Sequence, residues 1–185
     1  MSRGLGDEYK RQLYTCLFGS VYLIIKSYIS SKNFDKKIDQ TFFATLSVQL
    51  FMTILSFFTL VFAFVFSDFS NITVFNNSHT LKPLFYKISG TWGNHEGSLL
   101  LWLLVLTFFL FIFFVTSKKM NLRYRILTIL FQEIIILGFL LFILFTSNPF
   151  LNVFPIPDEG LGLNPILQDP ALAIHPPLLY VGYVG

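Results

Sequence analysis

The sequence predicts an all-α, polytopic membrane helix bundle with about four transmembrane helices, the start of a fifth and a proline-rich outer arm. Composition is the first reason: 54% of the residues are hydrophobic, 12% are charged and the mean hydropathy is +0.67, outside the range of ordinary soluble domains. Apolar runs long enough for the ~20 residues that cross a ~30 Å hydrocarbon core are the second. The third is charge placement. The net charge of +3 is spread in short basic groups between the apolar runs, which is a topology signal and not a nucleic-acid-binding face.

Taken in order, residues 12–29 form the first span, interrupted by Lys26, which snorkels from the helix end to the headgroups. The alternative for this run is a helix lying in the interface. Residues 42–66, 98–117 and 126–146 are the other three spans, so residues 1–147 make the bundle. Lys32, Lys36 and Lys37 lie between the first two spans, and Lys118, Lys119, Arg123 and Arg125 between the third and fourth; both loops should face the matrix or cytoplasm. The segments 68–97 and 148–175 then face the other side, together with the N-terminus, and the second carries Asp158, Glu159 and Asp169 with no Lys or Arg.

Residues 148–185 are read as an extended outer-face arm and a truncated helix start. Seven of the eight prolines lie in 148–177, which removes backbone donors and forbids regular structure through most of it. Between the prolines sit Phe150, Leu151, Val153, Phe154, Ile156, Leu161 and Leu163, so the arm should pack on protein or the interface. The opening MSRGLGDEYKR fits neither a secretory nor a transit peptide, and the chain is expected to insert where it is made. Cys16, the single cysteine, excludes an internal disulfide and reads as a small buried hydrophobe.

The three histidines, His79, His95 and His175, all fall on the outer side. His95 precedes the third span in WGNHEGS, and His175 stands before Pro176 and Pro177. Because proline is favoured at the first helical position, one of these two prolines should start a helix, with His175 at its N-cap. The dipole there favours an uncharged imidazole with a lone pair free for a metal. The blander alternative, a histidine hydrogen-bonded to the arm, weighs about twice as much on physics alone. For His95 a loop-anchoring role outweighs ligation, with Glu96 placed in the first helical turn. Trp92 and Trp102 read as interfacial anchors, although a haem would also accept an aromatic floor. Glu133, the one acid inside a confident span, is either functional or bonded to a neighbouring helix. His79 reads as solvent-exposed, and the sequons at Asn71 and Asn76 carry little weight. No phosphate loop, CxxC, HExxH or serine-histidine-acid pattern is present, so no catalytic residue is assigned.

Three stretches, TWGNHEGSLLLW at 91–102, GFLLFILFTSNPF at 138–150 and GLNPILQDPALAIHPPLLYVGYVG at 162–185, resemble the CcmF-type cytochrome c haem lyases of the cytochrome c maturation system. The likeness covers roughly residue 47 to the end. It implies the N-terminal part of a split mitochondrial CcmF, in the mitochondrial inner membrane, with the arm 148–175 facing the intermembrane space. It also implies a b-type haem shared with a second CcmF chain carrying the tryptophan-rich WWD segment, delivery by a CcmE-like chaperone, and apocytochrome c as the acceptor. His175 falls on the family's axial haem ligand and is the only metal contact implied, through the haem iron. His95, Glu96 and Trp92 are secondary candidates, possibly structural. Such a chain is not catalytically complete alone and is expected to meet other maturation or respiratory-complex subunits in the lipid bilayer. The competing expectation is a structural membrane subunit derived from a CcmF fragment, without lyase activity; a small transporter is disfavoured by the scarcity of intramembrane polar residues.

Overall fold

The computed structural model describes residues 5–32, 40–162 and 164–185, and among them the chain forms seven α-helices and no strand. Four helices are long and apolar enough to cross a membrane: α1 (Leu5–Lys32), α2 (Gln40–Val65), α5 (His95–Thr116) and α6 (Leu122–Phe145). The protein is a polytopic helical membrane bundle, as expected. Lys36, Lys37 and Leu163, used above for topology and arm packing, lie outside the described residues.

The bundle follows from a repeat that the hydropathy hides. Buried positions on α1 fall at Leu13, Cys16, Ser20, Leu23, Ser27 and Ser30, alternating steps of three and four. The same alternation runs through Phe42, Leu46, Gln49, Thr53, Ser56 and Leu60 on α2, and through Ile126, Ile129, Glu133, Ile136, Leu140 and Ile143 on α6. A spacing near 3.5 keeps one narrow seam facing a partner helix, and small residues on it let backbones approach closely. Helix α1 accordingly packs along both α2 and α6, as a full member of the bundle and not a helix lying beside it. Polar contacts cross this seam: Ser56 to Gln12 at 2.9 Å, Cys16 Sγ to Thr53 Oγ1 at 3.6 Å, and the Ser20, Gln49 and Glu133 layer.

At one end, Arg125 staples the turn between α5 and α6, its guanidinium donating to Ser117 Oγ at 2.9 Å and to the Phe114 carbonyl at 3.0 Å. Lys118, Lys119 and Arg123 stand exposed at this end. The opposite end is built by two short helices, α3 (Ile72–Asn77) and α4 (Leu84–Gly90), and by the arm. Asn71 caps α3 by accepting from Thr73 and Val74 N–H, while its Nδ2 donates to the Pro149 carbonyl at 2.8 Å. That buried amide is engaged through both its oxygen and its nitrogen, so Asn71 serves as a helix cap.

The arm lies extended over α3. Ile72 N–H donates to Leu151 O, Val153 N–H to Ser70 O, Leu161 N–H to Phe75 O and Gly162 N–H to Ser78 O. Phe150 is buried, whereas Leu151, Phe154, Ile156 and Leu161 are exposed. Gly160 is required by close approach, since a Cβ there would stand 2.1 Å from the Ser78 carbonyl oxygen.

One expectation is overturned here. The last helix, α7 (Pro170–Val184), starts six residues before Pro176, with Asp169 as N-cap accepting from Ala171 and Leu172 N–H and Pro170 at the first helical position. Pro176 and Pro177 are inside it. His175 is therefore in the second turn, and the N-cap argument for it falls. Asp169-Pro170 is the stronger start because it joins a side-chain cap to a preset φ, where His175 supplies only the proline that follows it.

Candidate functional site

Helix α7 descends beside α5 in the same direction. Ala173 lies against Trp92, Tyr180 against Ser98 and Trp102, and the Gly185 end against Phe109. The docked face thus carries Ala173, Tyr180 and Val184 at helical spacing. His175, two residues on from Ala173, is rotated to the opposite face and is exposed. It makes no hydrogen bond or ion pair with any described residue. Leu172, Leu178 and Leu179, one turn before and after it, are also exposed. The imidazole therefore stands on an apolar free face with both nitrogens available.

Trp92 belongs to the short turn between α4 and α5. Its indole stacks on Phe57, with centroids 6.4 Å apart and planes at 17°, and its Nε1 donates to the Ala173 carbonyl at 2.7 Å. Trp102 stacks on Tyr180 at 5.2 Å and 15°, and the Tyr180 hydroxyl is hydrogen-bonded to Ser98. Trp92 and Trp102, read above as interfacial anchors, clamp helices together: both rings stack on neighbouring elements, and the Trp92 N–H finds a carbonyl there.

His95 begins α5 as its first residue, after the Asn94 cap, and is exposed with its ring edge-on to Phe142 at 6.1 Å. Phe142 also lines an apolar cleft of about 360 Å³ with Leu99, Ile134, Ile135, Gly138 and Phe139. Glu96 lies in the first turn, partly buried, as expected. The turn before it is held by Gly97, where a Cβ would come 1.6 Å from the Thr91 oxygen. His95, Glu96, Trp92 and His175 thus share one end of the bundle, and two hydrogen bonds among the described residues join the two motifs, Trp92 to the Ala173 carbonyl and Ser98 to Tyr180.

His79 lies elsewhere, at the arm: its Nδ1 accepts from Leu81 N–H at 3.2 Å and stands 3.8 Å from Glu159. Glu159 receives the Thr80 N–H at 2.9 Å and the Thr80 hydroxyl, and these bonds, the hydroxyl foremost, hold its carboxyl down at about 2. Glu133, in the middle of α6, is fully buried and accepts from Ser20 and Gln49. Sequence reasoning raised a helix-bonded Glu133 but missed both donors; the signal was the three-four alternation of buried positions on α1 and α2.

Among the described residues no group of three or more His, Cys, Asp or Glu could hold a bare metal ion. An iron porphyrin asks for less: an axial nitrogen beside apolar surface. The free face of α7 offers both through His175 and its leucine neighbours, so the residues present fit a haem.

The fold and this face define a polytopic helical membrane protein that presents a free imidazole at one end of its bundle. Residues 92–185 match the family described as Cytochrome C assembly protein, and the chain belongs to that family. It is 55% identical over 132 residues to the cytochrome c-type biogenesis protein CycK of Rhizobium meliloti (strain 1021), covering 70% of this chain and 19% of that protein. It is 49% identical over 138 residues to the cytochrome c-type biogenesis protein CcmF of Escherichia coli (strain K12), covering 74% of this chain and 21% of that one. Among solved structures, one named cytochrome c heme lyase CcmF shares the fold with a TM-score of 0.74 at 20% identity, over 95% of this chain and 27% of that chain. The chain therefore spans about a fifth of the length of the curated relatives it matches.

Proposed function

We propose that this chain works in cytochrome c maturation as one part of a CcmF-type haem lyase, with His175 as an axial ligand to a b-type haem. The observation that carries this reading is the exposed, unbonded imidazole of His175 on the apolar free face of α7. A histidine kept only for structure would spend a nitrogen on a neighbour, as His79 does on Leu81. The names of the relatives support the pathway.

When bound, haem supplies the vinyl groups for attachment to cytochrome thiols. This chain binds and orients it: His175 holds the iron and the leucines of α7 flank the ring. The arm, tied to α3, walls the same end of the bundle. The rest of the pocket, including the WWD segment, comes from a second CcmF chain; haem arrives from a CcmE-like chaperone and leaves to apocytochrome c. The membrane is the mitochondrial inner membrane, with the arm and His175 in the intermembrane space. Exposed Lys118, Lys119 and Arg123 at the opposite end support that orientation.

The test is purification of the chain with its companions from native membranes, and a haem spectrum with and without His175→Ala. Companions carrying the WWD segment and a spectral change on substitution are the expected result. Co-purification with respiratory subunits alone, without haem, would sink the proposal and leave a structural subunit.

A further inference from the structure

A proline inside a helix strips the carbonyl four residues earlier of its donor. Pro177 does this to Ala173 and Pro176 does it to Leu172. The two freed carbonyls differ in setting. Leu172 is 44% exposed, whereas Ala173 is 5% exposed, on the docked face where water has little access. A buried carbonyl left without a donor is unfavourable, and in membrane proteins such groups are satisfied by neighbouring side chains. At Ala173 that neighbour is Trp92, whose Nε1 donates at 2.7 Å.

We infer that Trp92 is the positioning residue of His175: its indole N–H replaces the backbone donor that Pro177 lacks and fixes the turn of α7 that presents the imidazole. This rests on the reading of His175 as a haem ligand. The indole is itself held, stacked on Phe57 in a turn that packs against Gly97. Below, the Tyr180 to Ser98 bond and the Trp102 stack fix the next turns of α7. His175 therefore sits between two clamps on a segment whose φ angles are set by consecutive prolines. Trp92 sets the ring's direction without touching the ligand.

The geometry supplies its own rescue. Trp92→Phe keeps the ring but deletes the N–H, and Pro177→Ala returns a backbone donor to the Ala173 carbonyl. Pro176→Ala returns one only to Leu172. The four chains, wild type, Trp92→Phe, Trp92→Phe/Pro177→Ala and Trp92→Phe/Pro176→Ala, are purified with their companions and compared by haem spectrum and by ¹⁵N-histidine NMR. With three histidines in the chain, the His175 resonance is assigned by His175→Ala.

Trp92→Phe should lower the histidine-ligated haem signal several-fold and broaden or split the His175 resonance. Pro177→Ala should restore both, and Pro176→Ala neither. An unchanged His175 resonance in Trp92→Phe, or equal rescue by both proline substitutions, overturns the positioning role whatever the haem shows. A haem spectrum indifferent to His175→Ala, with the resonance still responding to Trp92, overturns the ligand reading alone.

Discussion

The Ser20 hydroxyl donates to Glu133 Oε2 at 2.5 Å, joining α1 to α6 in the interior of the bundle. Gln49 of α2 donates to both, at 2.9 Å to Ser20 and 3.2 Å to Glu133, so three helices meet in one polar layer. Glu133→Gln keeps an oxygen acceptor in place and should lose no more than about 1 kcal/mol. Glu133→Ala leaves the Gln49 and Ser20 donors short of an acceptor and should lose about 1 to 3 kcal/mol. Unfolding of the two variants in mixed micelles measures the difference; equal losses would mean that the oxygen acceptor kept by glutamine contributes nothing to the layer.

Two glycines give opposite expectations. At Gly97 a Cβ would meet the Thr91 oxygen at 1.6 Å, so Gly97→Ala must displace the turn bearing Trp92, a destabilisation of about 1 to 3 kcal/mol. At Gly138 nothing lies within 4 Å, and Gly138→Ala should be neutral or stabilising by up to about 1 kcal/mol through helix propensity. Thermal unfolding of the paired variants checks both signs.

Acid should release the arm late. Glu159 is lowered from 4.5 to about 2, first by the Thr80 hydroxyl and then by the Thr80 N–H. Its native form binds fewer protons than the unfolded chain, so the clamp is fully present above about 4.5 and is lost as pH falls through about 2. Amide exchange at Thr80 should stay slow down to that range, and Glu159→Ala should make it fast at neutral pH. Fast exchange in the unsubstituted chain at pH 5 would remove the clamp.

Lys82 points the other way. Its Nζ is shielded from water without a hydrogen-bond partner among the described residues, and desolvation lowers it from 10.5 to about 8. Below that value the native state must carry a poorly solvated ammonium, so stability should rise as pH climbs from about 8 toward 10.5. Lys82→Met should raise stability at pH 7 and flatten the rise. A variant with the same slope between pH 8 and 10 would place its origin in another group.

The four crossing helices were legible because a bilayer imposes a length and a polarity that hydropathy reads directly. His95 and Glu96 at the head of α5 were legible because the Asn94 cap and the apolar run that follows are local signals. The start of α7 was not. Three prolines at 170, 176 and 177 each satisfy the rule for a first helical position, and the weight placed on the histidine beside Pro176 hid the stronger local signal, the Asp169 cap before Pro170. Trp92 was illegible for a different reason: its hydrogen bond to the Ala173 carbonyl, 81 residues away in sequence, is tertiary, and composition shows only an indole near a span end.

The polar layer of α1, α2 and α6 also orders events during synthesis. When α1 and α2 leave the ribosome, the Gln49 amide has Ser20 to bond, but the carboxyl that completes the layer lies 84 residues further along. Until α6 inserts, the first hairpin holds a half-satisfied polar seam in hydrocarbon, a costly state that leaves it open to proteolysis. Slowed translation between the codons for α2 and α6 should therefore shorten the lifetime of the nascent chain, measurable by pulse-chase, and Gln49→Leu should lengthen it. Glu133 would then act as a timer on the hairpin as well as a brace in the finished bundle.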